Sequence, residues 1–227
     1  MRLSSLKVLA AAALGFVVLA PAVPMHADTV FSNFGPNQSY VGNAWWGVGN
    51  TRRPPQGTQV DAFPFTPTTT STLTGADLAL SAFSTASPLT VYIESNSGGA
   101  PGAILATLTQ VGSYSAYPTT SVVNFTCGSS CSTLNAGSTY WIVAQQTDPA
   151  NTSYWMYSFN DSGNWFYNEN NSATGPWTAA TTGNRFSAFD VTGIPGTSPV
   201  PEPGSLALLG SGLFGVLAAA RRRAWNR

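Results

Sequence analysis

Leu89-Thr90-Val91-Tyr92-Ile93-Glu94 is the stretch that decides the fold, because large apolar residues occupy every second position. Successive side chains of an extended chain point to opposite faces, so Leu89, Val91 and Ile93 share one face. Such alternation predicts a β-strand rather than a helix. Gly98-Gly99 follows a few residues later and is typical of a hairpin turn into the next strand.

Short apolar runs of the same kind recur along the chain, separated by Gly, Pro, Asn and Ser, and no helical periodicity is sustained. About nine strands are predicted, at residues 29–34, 59–65, 78–82, 89–94, 103–109, 121–126, 139–146, 153–159 and 185–192. Both faces of 153–159 are apolar, which predicts a central strand. Together the strands predict an all-β domain over residues 28–192, an antiparallel β-sandwich of jelly-roll type.

The N-terminus has the features of a secretory signal peptide over residues 1–27. Arg2 and Lys7 make a basic segment, and an uncharged apolar run follows at 8–20. Cleavage after Ala27 is preferred, and cleavage after Ala22 is the alternative. The body is therefore expected to leave the cytoplasm by the Sec route and to meet signal peptidase.

The C-terminus, residues 201–227, has three parts that follow a linker at 193–200. Pro201-Glu202-Pro203 is stiff and extended, because each proline fixes its own φ and restricts the residue before it. A single transmembrane helix is predicted over 205–220, and Arg221-Arg222-Arg223 should stop it at the cytoplasmic side. The alternative is a buried C-terminal helix of the globular domain, although no amphipathic stripe supports it.

This tail resembles the PEP-CTERM sorting signal of Gram-negative bacteria that produce extracellular polysaccharide. The resemblance implies that an exosortase-type transpeptidase processes the chain near Pro201-Glu202-Pro203. It further implies a precursor held in the inner membrane by the C-terminal helix, with its body facing the periplasm. The mature protein would then reach the cell surface or the extracellular matrix.

The body resembles the choice-of-anchor R domain over roughly residues 29–192. The likeness rests on short motifs in a shared order: Asn33-Phe34-Gly35-Pro36, Ala62-Phe63, Leu89 to Ile93 running into Gly98 to Leu105, Leu134 to Trp141, Tyr154-Trp155 and Phe189-Asp190-Val191. The family is associated with anchoring signals. The resemblance implies no known activity and supplies no catalytic residues.

Charge and composition exclude several functions for the segment from Asp28 to Pro203. It holds three basic residues, Arg52, Arg53 and Arg185, against all nine acidic ones, so its net charge is near −6. Such a body has no basic patch for nucleic acid or anionic lipid. Between the preferred cleavage site and Pro203 the chain also lacks histidine and lysine, which excludes triads, Lys-based nucleophiles, P-loops and His-ligated metals.

Carboxylate chemistry and calcium binding remain open after these exclusions. A glycosidase needs two carboxyl groups in one cleft, and the candidates are Glu94, Asp148, Asp161 and Glu169. No spacing selects a pair among them. Residues 160–164 are rich in oxygen ligands but lack the acid that an EF-hand needs at its twelfth position, so an ordinary turn is expected. We therefore predict no catalytic residues, no metal and no cofactor.

Cys127 and Cys131 are the two cysteines of the chain and flank a short Gly-Ser-Ser segment. Outside the cytoplasm this arrangement predicts one disulfide that closes a small loop.

Dense aromatic residues interleaved with Asn and Ser raise a binding hypothesis. Exposed rings cover the CH patches of sugars while amides bind their hydroxyls, and Trp165 and Trp177 are the residues predicted to be exposed. The alternative is that most aromatic residues fill the core. The leading prediction is a non-enzymatic surface or matrix protein associated with extracellular polysaccharide and biofilm. A carbohydrate-binding module is the rival, and a carboxylate-based glycoside hydrolase comes third.

Overall fold

The computed structural model describes residues 27–50, 57–128, 131–196 and 221, and strands dominate them. The strands are β1 Asp28–Ser32, β2 Val41–Asn50, β3 Thr58–Phe65, β4 Ser71–Ala82, β5 Leu89–Ser97, β6 Ala100–Val111, β7 Ser121–Cys127, β8 Thr133–Leu134, β9 Tyr140–Gln146, β10 Thr152–Asn168, β11 Thr178–Ser187 and β12 Phe189–Pro195. A short 3-10 helix, Pro36–Gln38, lies between β1 and β2. The all-β prediction is confirmed, with β2, β8 and most of β11 as unpredicted additions.

The hairpin of β5 and β6 shows how the quoted stretch folds. Gly98 and Gly99 form its two-residue turn with φ of +63° and +90°, a left-handed conformation that residues with a Cβ rarely adopt. Ser97 pairs with Ala100 across this turn, and the other edge of β5 pairs with β9. The strand predicted from alternation is therefore an interior strand of the sheet.

The sheet closes on itself, so the prediction of a two-sheet sandwich is wrong. Neighbouring strands run in the order β4, β7, β6, β5, β9, β3, β2, β10, and β10 pairs again with β4. The closing contact joins Ser153 to Ala82 and Trp155 to Leu80. All pairings between these strands are antiparallel. The result is a closed antiparallel barrel in which those strands leave no free edge.

Alternate residues of each strand fill the barrel interior. The largest fully buried side chains include Phe63, Phe125, Trp155, Phe189 and Leu80. Burying a side chain of this size contributes about 1.5–3 kcal/mol through the hydrophobic effect. The interior is therefore a packed core.

Near its N-terminal end, strand β10 lies between two neighbouring strands and buries side chains on both of its faces. It pairs with β2 on one edge and with β4 on the other, and Trp155 and Met156 are both fully buried. Trp155 belongs to the interior, whereas Met156 belongs to a separate cluster on the outer face with Ala79 and Ala188. The prediction of a central strand at 153–159 is confirmed.

Several predicted segments lie outside the described residues. They are residues 1–26 of the signal peptide, Pro201-Glu202-Pro203, the transmembrane helix at 205–220, and Arg222 and Arg223. In the part of the chain that the structure describes, no helix is long and apolar enough to cross a membrane. The predicted linker at 193–200 begins later than expected, because β12 continues to Pro195.

Candidate functional site

Trp165 lies inside the barrel with only 3% of its surface exposed, so the prediction that it is exposed is wrong. The β3–β10 register places Phe166 beside Ala62, which brings Trp165 against the inward-facing Phe63. The two rings stack with centroids 5.3 Å apart, and the ring of Trp46 lies 4.5 Å away. The indole Nε1 of Trp165 has no hydrogen-bond partner. Trp165 is therefore a core residue.

Trp177 is half-buried on the outside of the barrel. It lies in the segment that follows β10 and packs against the buried cluster on the outer face of the wall. That cluster consists of Val60, Ala62, Trp141, Val143 and Ala173. Asn168 Nδ2 donates to the backbone oxygen of Pro176 at 2.6 Å and holds this segment in place. Trp165 and Trp177 consequently lie in different layers and form no common surface.

A different set of aromatic residues converges on the outer face, and we call Trp45, Phe83, Tyr117 and Tyr154 the ring patch. Trp45 and Tyr154 stack at 4.3 Å with an interplanar angle of 23°. Tyr117 lies 4.9 Å from Trp45, and Phe83 meets Tyr154 edge to face at 5.9 Å. Phe83 and Tyr117 are 48% and 40% exposed. The four rings thus form one partly exposed aromatic surface.

The ring patch follows from strand alternation at two positions. Trp45-Trp46 and Tyr154-Trp155 are adjacent aromatic pairs, and neighbouring residues in a strand point to opposite faces. Trp155 packs in the core and Trp46 packs against it, which sends Trp45 and Tyr154 outward. The two adjacent aromatic pairs could have predicted outward-facing rings from the sequence, whereas nothing in the sequence predicts that the loop residues Phe83 and Tyr117 join them.

The candidate hydrolase carboxylates are not brought together. Glu94 pairs with Trp141, which pairs with Pro64 near the end of β3. Glu169 instead lies beside Gly57, just before β3 begins. At about 3.3 Å per residue, the two sites are roughly 20 Å apart along the strand. That separation is about twice the widest spacing of a glycosidase pair.

The carboxyl groups of Asp148 and Asp161 both accept hydrogen bonds. Asp148 accepts hydrogen bonds from the backbone N–H of Ala150 at 3.0 Å and from Asn151 Nδ2 at 2.8 Å, which stabilises the turn before β10. Burial raises the pKa of Asp161, and hydrogen bonds from Asn33 and the Ser162 backbone partly offset this effect. Asp148 therefore stabilises its own turn, whereas Asp161 links its strand to the segment that follows β1.

Two buried carboxyl groups face opposite sides of the barrel wall. Asp61 shares the inward face of β3 with Phe63, whereas Glu94 lies on the outer face beside Trp141. Burial raises the pKa of each to about 8. Gln59 Nε2 donates to Asp61 Oδ1 at 2.6 Å, but Asp61 Oδ2 and both Glu94 oxygens have no hydrogen-bond partner. A carboxyl group is less costly to bury when it is protonated and uncharged, which agrees with the raised pKa of both residues.

Asp77 and Asp190 form a carboxylate pair that sequence reasoning missed, since they are far apart in the chain. They lie directly opposite each other on β4 and β12. Burial and, to a smaller degree, the charge of Asp77 raise the pKa of Asp190 to about 6. Asn124 Nδ2 donates to Asp77 at 2.9 Å, and Gln38 Nε2 donates to Asp190 at 3.4 Å. The backbone N–H of Asp77 also donates to Asp190 Oδ1 at 3.3 Å. The described residues contain no group of three or more His, Cys, Asp or Glu that could hold a metal.

Cys127 and Cys131 form a disulfide with their Cα atoms 5.8 Å apart. It closes the loop after β7, and both residues pack against the edge of the core. The bond therefore ties the end of β7 to the segment leading into β8.

Comparison with known proteins identifies the tail. Residues 199–223 match the PEP-CTERM protein-sorting motif. No curated protein and no solved structure matches the chain. The motif marks an exported protein that is sorted to the cell surface and is processed by an exosortase. The chain thus carries a PEP-CTERM sorting motif at its C-terminus.

Proposed function

We propose that this protein acts without enzymatic activity at the cell surface or in the extracellular matrix, in association with extracellular polysaccharide. The observation that carries the proposal is the sorting motif at 199–223. The basic and apolar N-terminal segment fits export by the Sec route and removal by signal peptidase. The likeness of residues 29–192 to the choice-of-anchor R domain stays a prediction.

The placement of the carboxyl groups supports a non-enzymatic role. Glu94 and Glu169 are too far apart for glycosidic chemistry, and Asp61 faces the packed interior. Asp148 stabilises its own turn. These four residues therefore do not supply the paired acid and nucleophile that glycoside hydrolysis requires.

A second candidate function is a carbohydrate-binding module for extracellular polysaccharide. The ring patch favours it, because partly exposed rings on a rigid wall are suited to contact with sugar CH groups. In this second proposal the protein binds the polysaccharide directly, whereas the first proposal requires only that it is held within the matrix.

The association is tested on the protein made by its own cells. The extracellular matrix is isolated and treated with a mixture of polysaccharide hydrolases, with the heat-inactivated mixture as control. We expect the protein to be released as the polymer is degraded. Equal release by the active and inactivated mixtures would overturn the proposed association.

A further inference from the structure

We infer that the ring patch, formed by Trp45, Phe83, Tyr117 and Tyr154, is a binding site for a segment of uncharged polysaccharide. This inference rests on the proposed association with polysaccharide. It deepens the second candidate function by adding the chemical class of the polymer and the side chains whose loss should weaken binding.

The rings of the patch form one compact cluster on the surface. Between ring centroids, Trp45 lies 4.3 Å from Tyr154 and 4.9 Å from Tyr117. Tyr154 lies 6.3 Å from Tyr117 and 5.9 Å from Phe83. A short segment of a polysaccharide lying across the cluster would therefore meet more than one ring.

The patch stands on a rigid base. Ala79, Met156 and Ala188 lie beneath it and are fully buried, and Trp45 and Tyr154 pack against them. The backbone of Ala188 also bridges the strands, donating to Met156 at 2.7 Å and accepting from Ala79 at 3.1 Å. Rings fixed in this way lose little conformational entropy when a ligand binds.

Hydroxyl groups accompany the rings, and charged groups do not belong to the patch. Tyr117 and Tyr154 each carry a phenol, and burial raises the pKa of Tyr154. Tyr40 Oη donates to Thr120 Oγ1 at 3.0 Å beside the patch. Apolar faces bordered by neutral hydroxyls match the alternating CH and OH surface of an uncharged sugar. The four side chains of the patch offer no charge to an anionic polymer.

The size of the patch favours a glycan over a protein partner. A buried aromatic side chain covers about 150–250 Å², so four rings that are each less than half exposed offer roughly 300 Å² at most. A stable protein complex buries about 800 Å² on each partner. The patch is therefore too small to hold a second copy of this chain by itself.

The test measures binding of the processed protein, purified from its own cells, to cellulose, xylan, mannan, dextran and the cells' own extracellular polysaccharide. Alginate serves as an anionic polymer for comparison. Tyr117→Ala and Phe83→Ala should each weaken binding about ten-fold or more, as expected when one of four ring contacts is lost. Both residues are about half exposed, so the variants should keep the fold, which thermal unfolding verifies.

Ile104→Ala is the matched control, because Ile104 is 40% exposed like Tyr117 but lies on β6, outside the patch. It should bind as tightly as the unaltered protein.

If the protein binds an uncharged polymer and both patch variants bind it equally well, the assigned surface is wrong while the polysaccharide association stands. If the protein binds only alginate, the ligand class is wrong. Binding to no polymer would overturn both proposals, and self-association abolished by Tyr117→Ala would show an interface between copies instead.

Discussion

Replacing Asp61 by asparagine should flatten the dependence of stability on pH. Asp61 is fully buried on the inward face of β3, and burial raises its pKa from 3.8 to about 8, while the hydrogen bond from Gln59 acts in the opposite direction. Gln146 Oε1, a buried acceptor without a partner, lies on the same inward face of the neighbouring strand. A protonated Asp61 therefore fits this environment better than a carboxylate does.

The sign follows from proton binding in the two states. Between about pH 4 and about pH 8 the folded protein holds the Asp61 proton, whereas the unfolded chain has released it. The stabilisation linked to this proton is complete below the unfolded pKa and is lost as the pH rises toward the folded one. One such proton contributes a slope of about 1.4 kcal/mol per pH unit, or roughly 3 kcal/mol from pH 5 to pH 7.

Urea unfolding at pH 5, 6 and 7, followed by tryptophan fluorescence, measures the effect. Glu94 and Asp190, whose pKa values are raised to about 8 and about 6, add to the slope in both proteins, so the difference between the slopes isolates Asp61. Asp148→Asn, in an exposed turn, is the control and should keep the slope of the unaltered protein. Equal slopes for Asp61→Asn and the unaltered protein would refute the reasoning.

Three further predictions concern the disulfide, the core and the tail. Replacing Cys127 and Cys131 together by serine should lower stability by about 2 kcal/mol, because the closed loop is short, and a loss near zero in chemical denaturation would contradict the constraint. Trp165→Ala should lower the free energy of unfolding by about 3–5 kcal/mol, while a variant as stable as the original would show that Trp165 is not in the core. Changing Pro201-Glu202-Pro203 to alanines should leave an unprocessed chain on immunoblots; normal processing would show that the triplet is not needed.

Local patterns predicted the strands well, because alternation depends only on neighbouring residues. Leu89 to Glu94 became most of β5, and 121–126 became most of β7. The two apolar faces of 153–159 correctly indicated a strand with neighbours on both edges. Strand β2 escaped prediction because glycine and asparagine interrupt its apolar positions.

The sequence did not reveal which distant strands pair, since inward and outward residues alternate along the strands of both a sandwich and a closed barrel. The barrel closes because β10 pairs with β4 at Ser153 and Trp155. Nothing in the sequence around these two residues indicates that pairing. The position of Trp165 was mispredicted for the same reason, because its burial follows from the register of β10 on β3. The ring patch likewise needs Phe83 and Tyr117 from separate loops.

Intact mass combined with cell fractionation of the natively expressed protein tests the central claim most directly. Export and exosortase processing predict a mature chain that lacks the N-terminal segment and the residues after Pro201-Glu202-Pro203. They also predict its recovery in the surface or matrix fraction. A chain that keeps its C-terminal residues through Arg227 and stays with the cell interior would contradict the account.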